Sequence, residues 1–324
     1  MSVVFKLIAA TFVLSALPLA AVAQPFPSKP IRLVVPYEPG GAVDLTARAL
    51  SPKMAEELMQ PVIIENRGGA GGQIGAQNVA NAAPDGYTFM FTVGATHILE
   101  LFTKKNLPYN PIKDFTPITA VADSVLALAA SGTFPPDTIK ELVDYAKRNP
   151  GKVTYGTTSM GGITHIAMEQ LALLAGVEMT HVPYKGGGPL STNLMGGQIP
   201  LAAMPLVALT PYIRSGKVKV LGLFLSSRYQ DMPELPIVAE SVSGFQNIDG
   251  SGVWALGPAG MPDPVVQRIR SVIVAALNVP ENRKKIESRG QIVVGSTPKE
   301  FAVQVTRMAD LTGKLVKAIG FKPE

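Results

Sequence analysis

Short apolar runs punctuated by glycine- and proline-rich turns alternate along this chain with longer stretches whose apolar residues recur every three to four positions. Ile31 to Val35 reads as a compact buried strand, followed by the loop "PYEPGG" and an amphipathic stretch that predicts a helix over 44–59. Val62 to Glu65 reads as a second strand, "NRGGAGGQIGA" as a glycine loop and "QNVANAA" as helical; after the turn "PDG", Thr88 to Val93 gives a third strand. This βαβαβ alternation is the pattern of a parallel sheet covered by helices. A second series begins near Ser124 with the strand "VLALAAS" and a helix over 136–148, for which Thr133 or Asp137 is the expected N-cap. "VTYGTTSMGG" then leads into a helix over 163–175 and "MTHVPYKGGG" into one over 189–195. "IPLAAMP" leads into "VALTPYIRSG", and "VKVLGLFLSS" closes the series. The chain re-enters an apolar strand at "GVWALG" and ends in helices over 263–277, 281–289 and 298–318. Pro52 falls inside the first helix, where proline costs about 3 kcal/mol, so a break or kink is expected there.

Two consecutive α/β series with a late return predict an α/β fold of two lobes, one from residues 24–123 plus 251–324 and the other from 124–250. Ligands in open α/β sheets bind outside the carboxyl ends of the strands, so facing lobes share one cleft.

Composition narrows the setting. With 324 residues and 47 % hydrophobic content the chain can bury more than one core. Lys6, the apolar run from Leu7 to Val22 and the small-residue site Ala21, Val22, Ala23 read as a cleaved export signal over 1–23, which places the product in a periplasm. Zero cysteines exclude cysteine nucleophiles, zinc–thiolate sites and lipid attachment through cysteine. Loss of Lys6 with the signal takes the formal net charge from +5 to +4, and the basic residues are scattered among acidic ones. Arg283, Lys284 and Lys285 stand beside Glu281 and Glu287, a solvated helix face and not a nucleic-acid surface. A monomer without nucleic-acid partners is expected.

The chemical motifs point to binding and away from catalysis. "GGAGGQIG" over 68–75 has glycines near dinucleotide-fingerprint spacing, but it follows the second strand, and Asp85 precedes the third strand where an acidic residue should follow. "PGG" over 39–41 lacks the Lys-Ser or Lys-Thr of a phosphate loop. Four loops, Pro39 to Gly41, Gly68 to Gly72, Thr157 to Gly162 and Lys185 to Gly188, each follow a strand and precede a helix. Glycine frees the backbone amides and the helix start adds partial positive charge, so such loops attract anions, here with the hydroxyls of Thr157, Thr158 and Ser159 nearby. His97, His165 and His181 lack metal-ligand spacing. His165 and Glu169 share a helix face and read as a surface hydrogen-bonded pair. Ser159 is not in a G-x-S-x-G elbow, Tyr184 beside Lys185 lacks reductase spacing, and Trp254 in its apolar strand reads as core. No cofactor, metal or catalytic group is expected.

The segments "VPYEPGGAVDLTAR", "IIENRGGAGGQIGAQNVANAAPDGYTFMF", "HVPYKGGGPLSTNLMGGQIP", "YIRSGKVKVLG" and "PAGMP" resemble the Bug family, the periplasmic solute receptors of tripartite tricarboxylate transporters. The resemblance spans essentially the whole mature chain. It implies a two-lobed type II periplasmic-binding-protein fold, a Venus flytrap that closes on a small organic carboxylate (a di- or tricarboxylate, an acidic amino acid or an aromatic acid) and delivers it to a membrane transporter. The residues it implies at the ligand are Tyr37, Pro39, Gly40, Gly41 and Asp44, then Gly72, then Thr92, Gly94 and Thr96 on the first lobe. On the second they are Thr158, Ser159, Gly161, Gly162 and His165, with Tyr184, Lys185 and Gly186. Gly162 stands where the family usually has a hydroxyl residue, Asn193 where it has Asp, and Gly252 and Trp254 depart from its Trp-x-Gly; the loss of a side-chain donor at Gly162 implies a ligand that is larger, or less dependent on a second carboxylate, than in the commonest members. The rival readings are a sensory receptor partnering a kinase and an exported hydrolase using Ser159 and His165.

Overall fold

The computed structural model describes residues 26–158, 160, 162–184, 186–247, 251–318 and 320; the export-signal segment lies outside them, as do Ser159, Gly161 and Lys185. The first series runs β1 (Ile31–Val35), α1 (Ala42–Leu58), β2 (Val62–Asn66), α2 (Gln73–Ala80), β3 (Thr88–Val93), α3 (Gly94–Thr103) and β4 (Phe115–Ser124). It continues as β5 (Leu126–Ser131), α4 (Ile139–Arg148), β6 (Val153–Thr157), α5 (Ile163–Ala175), β7 (Met179–Pro183), α6 (Gly187–Met195) and β8 (Leu201–Pro205). Next come α7 (Thr210–Ile213), β9 (Val218–Leu223) and α8 (Val238–Ser241). The return is β10 (Val253–Pro258), α9 (Asp263–Leu277), α10 (Pro280–Glu287), β11 (Gln291–Val293) and α11 (Pro298–Ala318).

These strands form two sheets. The six-stranded one has the order β11-β4-β10-β3-β1-β2 and the five-stranded one β7-β6-β8-β5-β9. β1 lies parallel to both β2 and β3, whereas β10 runs antiparallel between β3 and β4. In the second sheet β6 is parallel to β7 and β8, and β5 is antiparallel to β8 and β9. Ser124 still pairs with Gln291 in the first sheet, so the chain steps between sheets at Val125.

The central strands β3, β5 and β10 are buried on both faces, and their alternation sorts residues to two layers. Phe89 and Phe91 of β3, with Val253 and Ala255 of β10, pack on the side of α1 and α9; Met90, Trp254 and Leu256 pack on the side of α3 and α11. Leu126 and Leu128 of β5 pack with α4 and α5, while Ala127 and Ala129 face α6. Trp254 is core, as expected, with its ring edge-on to Phe301 at 4.9 Å.

Two local expectations are corrected. α1 is not broken at Pro52: the helix runs through it, with Pro52 facing solvent and Val43, Ala47, Leu50, Met54 and Leu58 forming the buried stripe that holds both halves to the sheet. α4 starts later than expected and is capped by Thr138, whose Oγ1 accepts from the Glu141 amide at 3.1 Å. Neither proposed cap serves it: Thr133 bonds Ser131, and the Asp137 carboxylate accepts from Lys219 Nζ at 2.6 Å.

Candidate functional site

The parallel strands set the polarity: the loops leaving β1 and β2 and the start of α3 directly after β3 lie at one edge of the first sheet, and the loops leaving β6 and β7 at one edge of the second. In the loop after β1, Gly40 adopts φ 91°, a left-handed conformation that suits glycine, and points its amide at Asp44 Oδ2, 2.8 Å away. Asp44 is fully engaged in holding this turn. Its Oδ2 also accepts from Arg48 Nε at 2.9 Å and its Oδ1 from Asn66 Nδ2 at 3.0 Å, while the same Asn66 amide donates to the Tyr37 carbonyl at 3.1 Å. These donors hold the Asp44 carboxyl below the usual carboxylate range against the upward push of burial. Asp44 thus braces a loop in which Pro39, Gly40 and Gly41 are exposed.

Tyr37, Gly72, Thr92, Thr96, Glu100 and Tyr109 pack side by side at the same edge around a gap too tight for a water molecule. The Tyr37 hydroxyl lies 3.2 Å from Thr92 Oγ1 and accepts from the Val93 amide at 3.3 Å. Gly72 backs onto the Tyr37 ring: a Cβ there would sit 3.2 Å from Cε1. A Cβ on Gly94 would fall 2.2 Å from Trp254 Cε2, so the missing side chain lets α3 start close against this ring of β10. Glu100 and Tyr109 are the residues that sequence reasoning missed. Neither belongs to a motif, and nothing short of the folded wall brings them together.

In the second sheet, the loops after β6 and β7 are joined by main-chain bonds: the Tyr184 amide donates to the Thr157 carbonyl at 2.9 Å and the Gly186 amide to the Thr158 carbonyl at 3.1 Å. The Tyr184 hydroxyl accepts from Asn193 Nδ2 at 3.0 Å, which gives Asn193 a task in fixing that ring. Below the loops His165 and His181 stack with centroids 3.7 Å apart. Thr157 Oγ1 lies 2.7 Å from His181 Nε2, His165 Nε2 lies 3.6 Å from Glu169 Oε1, and the Tyr155 hydroxyl donates to Glu169. The expected helix-surface pair is thus part of a partly buried cluster. Burial, aided by the neighbouring His165, lowers His181 to about 4, and the His165 contact holds Glu169 below its ordinary value. His165 is 9 % exposed.

Three helices begin at these edges without a side-chain cap: α1 after Gly41, α3 after Val93 and α5 after Gly162. None of the three N-cap residues supplies a side-chain acceptor to its helix, the Gly94 amide donates to the Gly252 carbonyl at 3.3 Å, and α3 and α5 carry no acidic residue in the first turn. Ile163 and Ile166 of α5 join the apolar cluster that holds Ile98 and Leu99 of α3, so the starts of these two helices meet at the junction of the sheets. The predicted residues thus fall into a first-sheet group (Tyr37, Gly72, Thr92, Thr96) and a second-sheet group (Thr158, Gly162, Tyr184, Gly186). Elsewhere, the groove flanked by Arg228 and Arg283 has both guanidinium groups ion-paired, with Glu240 and Glu287. No group of side chains suited to a metal ion occurs among the described residues, and no helix there is long and apolar enough to cross a membrane.

Residues 46–321 match the profile of the tripartite tricarboxylate transporter family receptor. A UPF0065 protein encoded in the gbd 5' region of Cupriavidus necator is 35 % identical over 273 residues, covering 84 % of this chain and 82 % of the relative. A Rhodopseudomonas palustris protein solved with bound malate, MatC, is 31 % identical with a TM-score of 0.69, over 90 % of this chain and 100 % of that one. An R. palustris protein solved with adipate is 28 % identical with a TM-score of 0.73, over 92 % and 100 %. The chain therefore belongs to the tripartite tricarboxylate transporter receptor family, the Bug-type periplasmic solute-binding proteins that its motifs resemble.

Proposed function

We propose that this chain is a periplasmic receptor that binds a small organic carboxylate between its two lobes and delivers it to the membrane subunits of a tripartite transporter. The observation that carries this reading is the set of helix starts just described. Uncapped amides at α1, α3 and α5, drawn from both sheets, offer hydrogen bonds and partial positive charge to carboxylate oxygens without a full countercharge. The malate and adipate held by the relatives belong to the same ligand class. We assign Tyr37, Pro39, Gly40, Gly41, Thr92, Thr96, Thr158, Gly162 and Gly186 to the ligand walls, and Asp44 and His165 to bracing the loops. Lobe 1 comprises β1–β4 with β10 and β11, and lobe 2 comprises β5–β9. A ligand that touches both favours their closure by its differential affinity for the closed form.

Gly41 supplies the test. It has φ −74°, and a Cβ there would meet nothing nearer than the Glu38 carbonyl at 3.9 Å, so Gly41→Phe fits the unliganded fold. A ligand at 100 times its Kd stabilises the wild type by about 2.7 kcal/mol. In a thermal-shift screen of mono-, di- and aromatic carboxylates, Gly41→Phe should keep the unliganded Tm and lose most of the ligand-induced rise. An undiminished rise removes this loop from the site. Recovery of each ligand chemically unchanged after long incubation separates the receptor from a hydrolase.

A further inference from the structure

The chain crosses between the sheets at Val125, whose amide donates to the Gly290 carbonyl at 3.3 Å and whose carbonyl accepts from the Leu206 amide at 2.8 Å. In both strand orders this crossing has two sides. β1, β3 and β6, with the helix starts that follow them, lie on one side of β4 and β5, while β11 and β9 lie on the other. The β11 and β9 side holds two adjoining grooves walled by both lobes, of about 440 and 250 Å³, which share Tyr229, Asp231 and Glu287. Beside these grooves the lobes touch. Ile292 of β11 packs on the apolar cluster of the second sheet, and Gly290, between α10 and β11, lies against Val207, which follows β8. A Cβ on Gly290 would fall 2.4 Å from the Val207 Cβ, far inside van der Waals contact. Gly290 also adopts φ 72°, so glycine meets both the turn and the close approach.

We propose that Gly290 and Val207 are the stop that sets how far the ligand cleft opens, and that they tune ligand affinity from behind the crossing without touching the ligand. The inference rests on the two-lobed receptor reading and adds an affinity-setting contact to it. Turning the lobes about the crossing so that the cleft narrows draws the β11 and β9 side apart. Contacts made there by Gly290, Val207 and Ile292 therefore favour the open form, and ligand binding has to give them up. The apparent Kd is then the intrinsic one divided by the fraction of protein already in the binding-competent form. Because the stop lies beside the pivot, a small separation of Gly290 from Val207 becomes a larger displacement at the cleft walls.

The chain has no cysteine, so spin labels on Gln77→Cys and Thr192→Cys would stand alone. Both positions are exposed, one on α2 and one on α6, the helices that follow the cleft-edge loops of β2 and β7, and their separation reads the opening of the cleft. In the ligand-free labelled protein, Gly290→Asn, whose side chain tolerates a left-handed φ, should shift the distance distribution to shorter values. Adding Val207→Gly removes the atom that the new side chain strikes and should return the distribution to that of the wild type. Ile292→Ala, which only weakens the contact, should also shift it to shorter values. In calorimetric titrations with malate and with adipate, Gly290→Asn should tighten binding of whichever acid the wild type takes by about 3- to 10-fold, and the double variant should restore the wild-type Kd. An unmoved or lengthened distance in Gly290→Asn, or a shortened one with no gain in affinity, overturns the inference and leaves the receptor reading intact. Shortened distances reversed by Val207→Gly uphold the stop even where neither acid binds, a result that counts only against those two ligands. Should Gly290→Asn not fold, the distance in Ile292→Ala decides in its place.

Discussion

His97 is enclosed by Tyr109 and Phe115, with Nε2 3.1 Å from the Pro111 carbonyl, and burial lowers its pKa to about 4. In the unfolded chain the same ring titrates near 6.5, so between these values the unfolded state takes up a proton that the folded state refuses. Stability is therefore full above pH 6.5 and falls as pH falls toward 4, by up to about 1.4 kcal/mol per pH unit. His181, also lowered to about 4 but only partly buried, acts in the same direction, whereas the raised Glu100 acts in the opposite one. Denaturant titrations should show the wild type losing about 1–2 kcal/mol between pH 7 and pH 5.5. His97→Asn should flatten that slope whatever its own stability; parallel slopes would exclude the mechanism. At this scale the sequence disclosed Trp254 as core and the glycines as loop formers, because apolar context and backbone freedom are local properties. It did not disclose that Asp44 is satisfied by Asn66, or that His165 lies on His181, since both contacts join different strands and helices.

Among the elements, α1 shows packing overriding propensity. Pro52 removes one backbone donor and crowds the preceding turn, yet the apolar stripe before and after it is buried against β1, β3 and α9. Because Pro52 points to solvent, Pro52→Ala should restore the missing hydrogen bond without disturbing the core. A gain of about 1–3 kcal/mol in chemical denaturation is expected, and no gain would mean that the helix has relaxed fully around the proline. The strongly patterned strands and the terminal helices were legible to within a few residues. α3, β4 and β11 were not. α3 begins at Gly94 directly after β3, leaving no loop to mark it, and β11 is only three residues long. β4 contains Pro117, which argues against a central strand; it is accommodated where the β4–β10 register shifts, opposite Leu256.

For the whole molecule, the order of α/β units predicted two sheets and the position of the loops at their carboxyl ends, because strand direction follows from the helical crossovers between parallel neighbours. What the linear pattern does not carry is where the returning chain goes, and β10 enters the middle of the first sheet, between β3 and β4. Every strand of the five-stranded sheet comes from one continuous stretch, 126–223, whereas the six-stranded sheet has to wait for residues 253–258. In a refolding chain pulsed with deuterium, amides of β5–β9 should gain protection before those of β3 and β4; simultaneous protection would contradict this order. During synthesis the ribosome releases β1–β4 first, but the strand that joins them emerges some 130 residues after β4 ends. Until residues 253–258 have been made, the amino-terminal third of the newborn polypeptide lacks the strand that bridges β3 to β4.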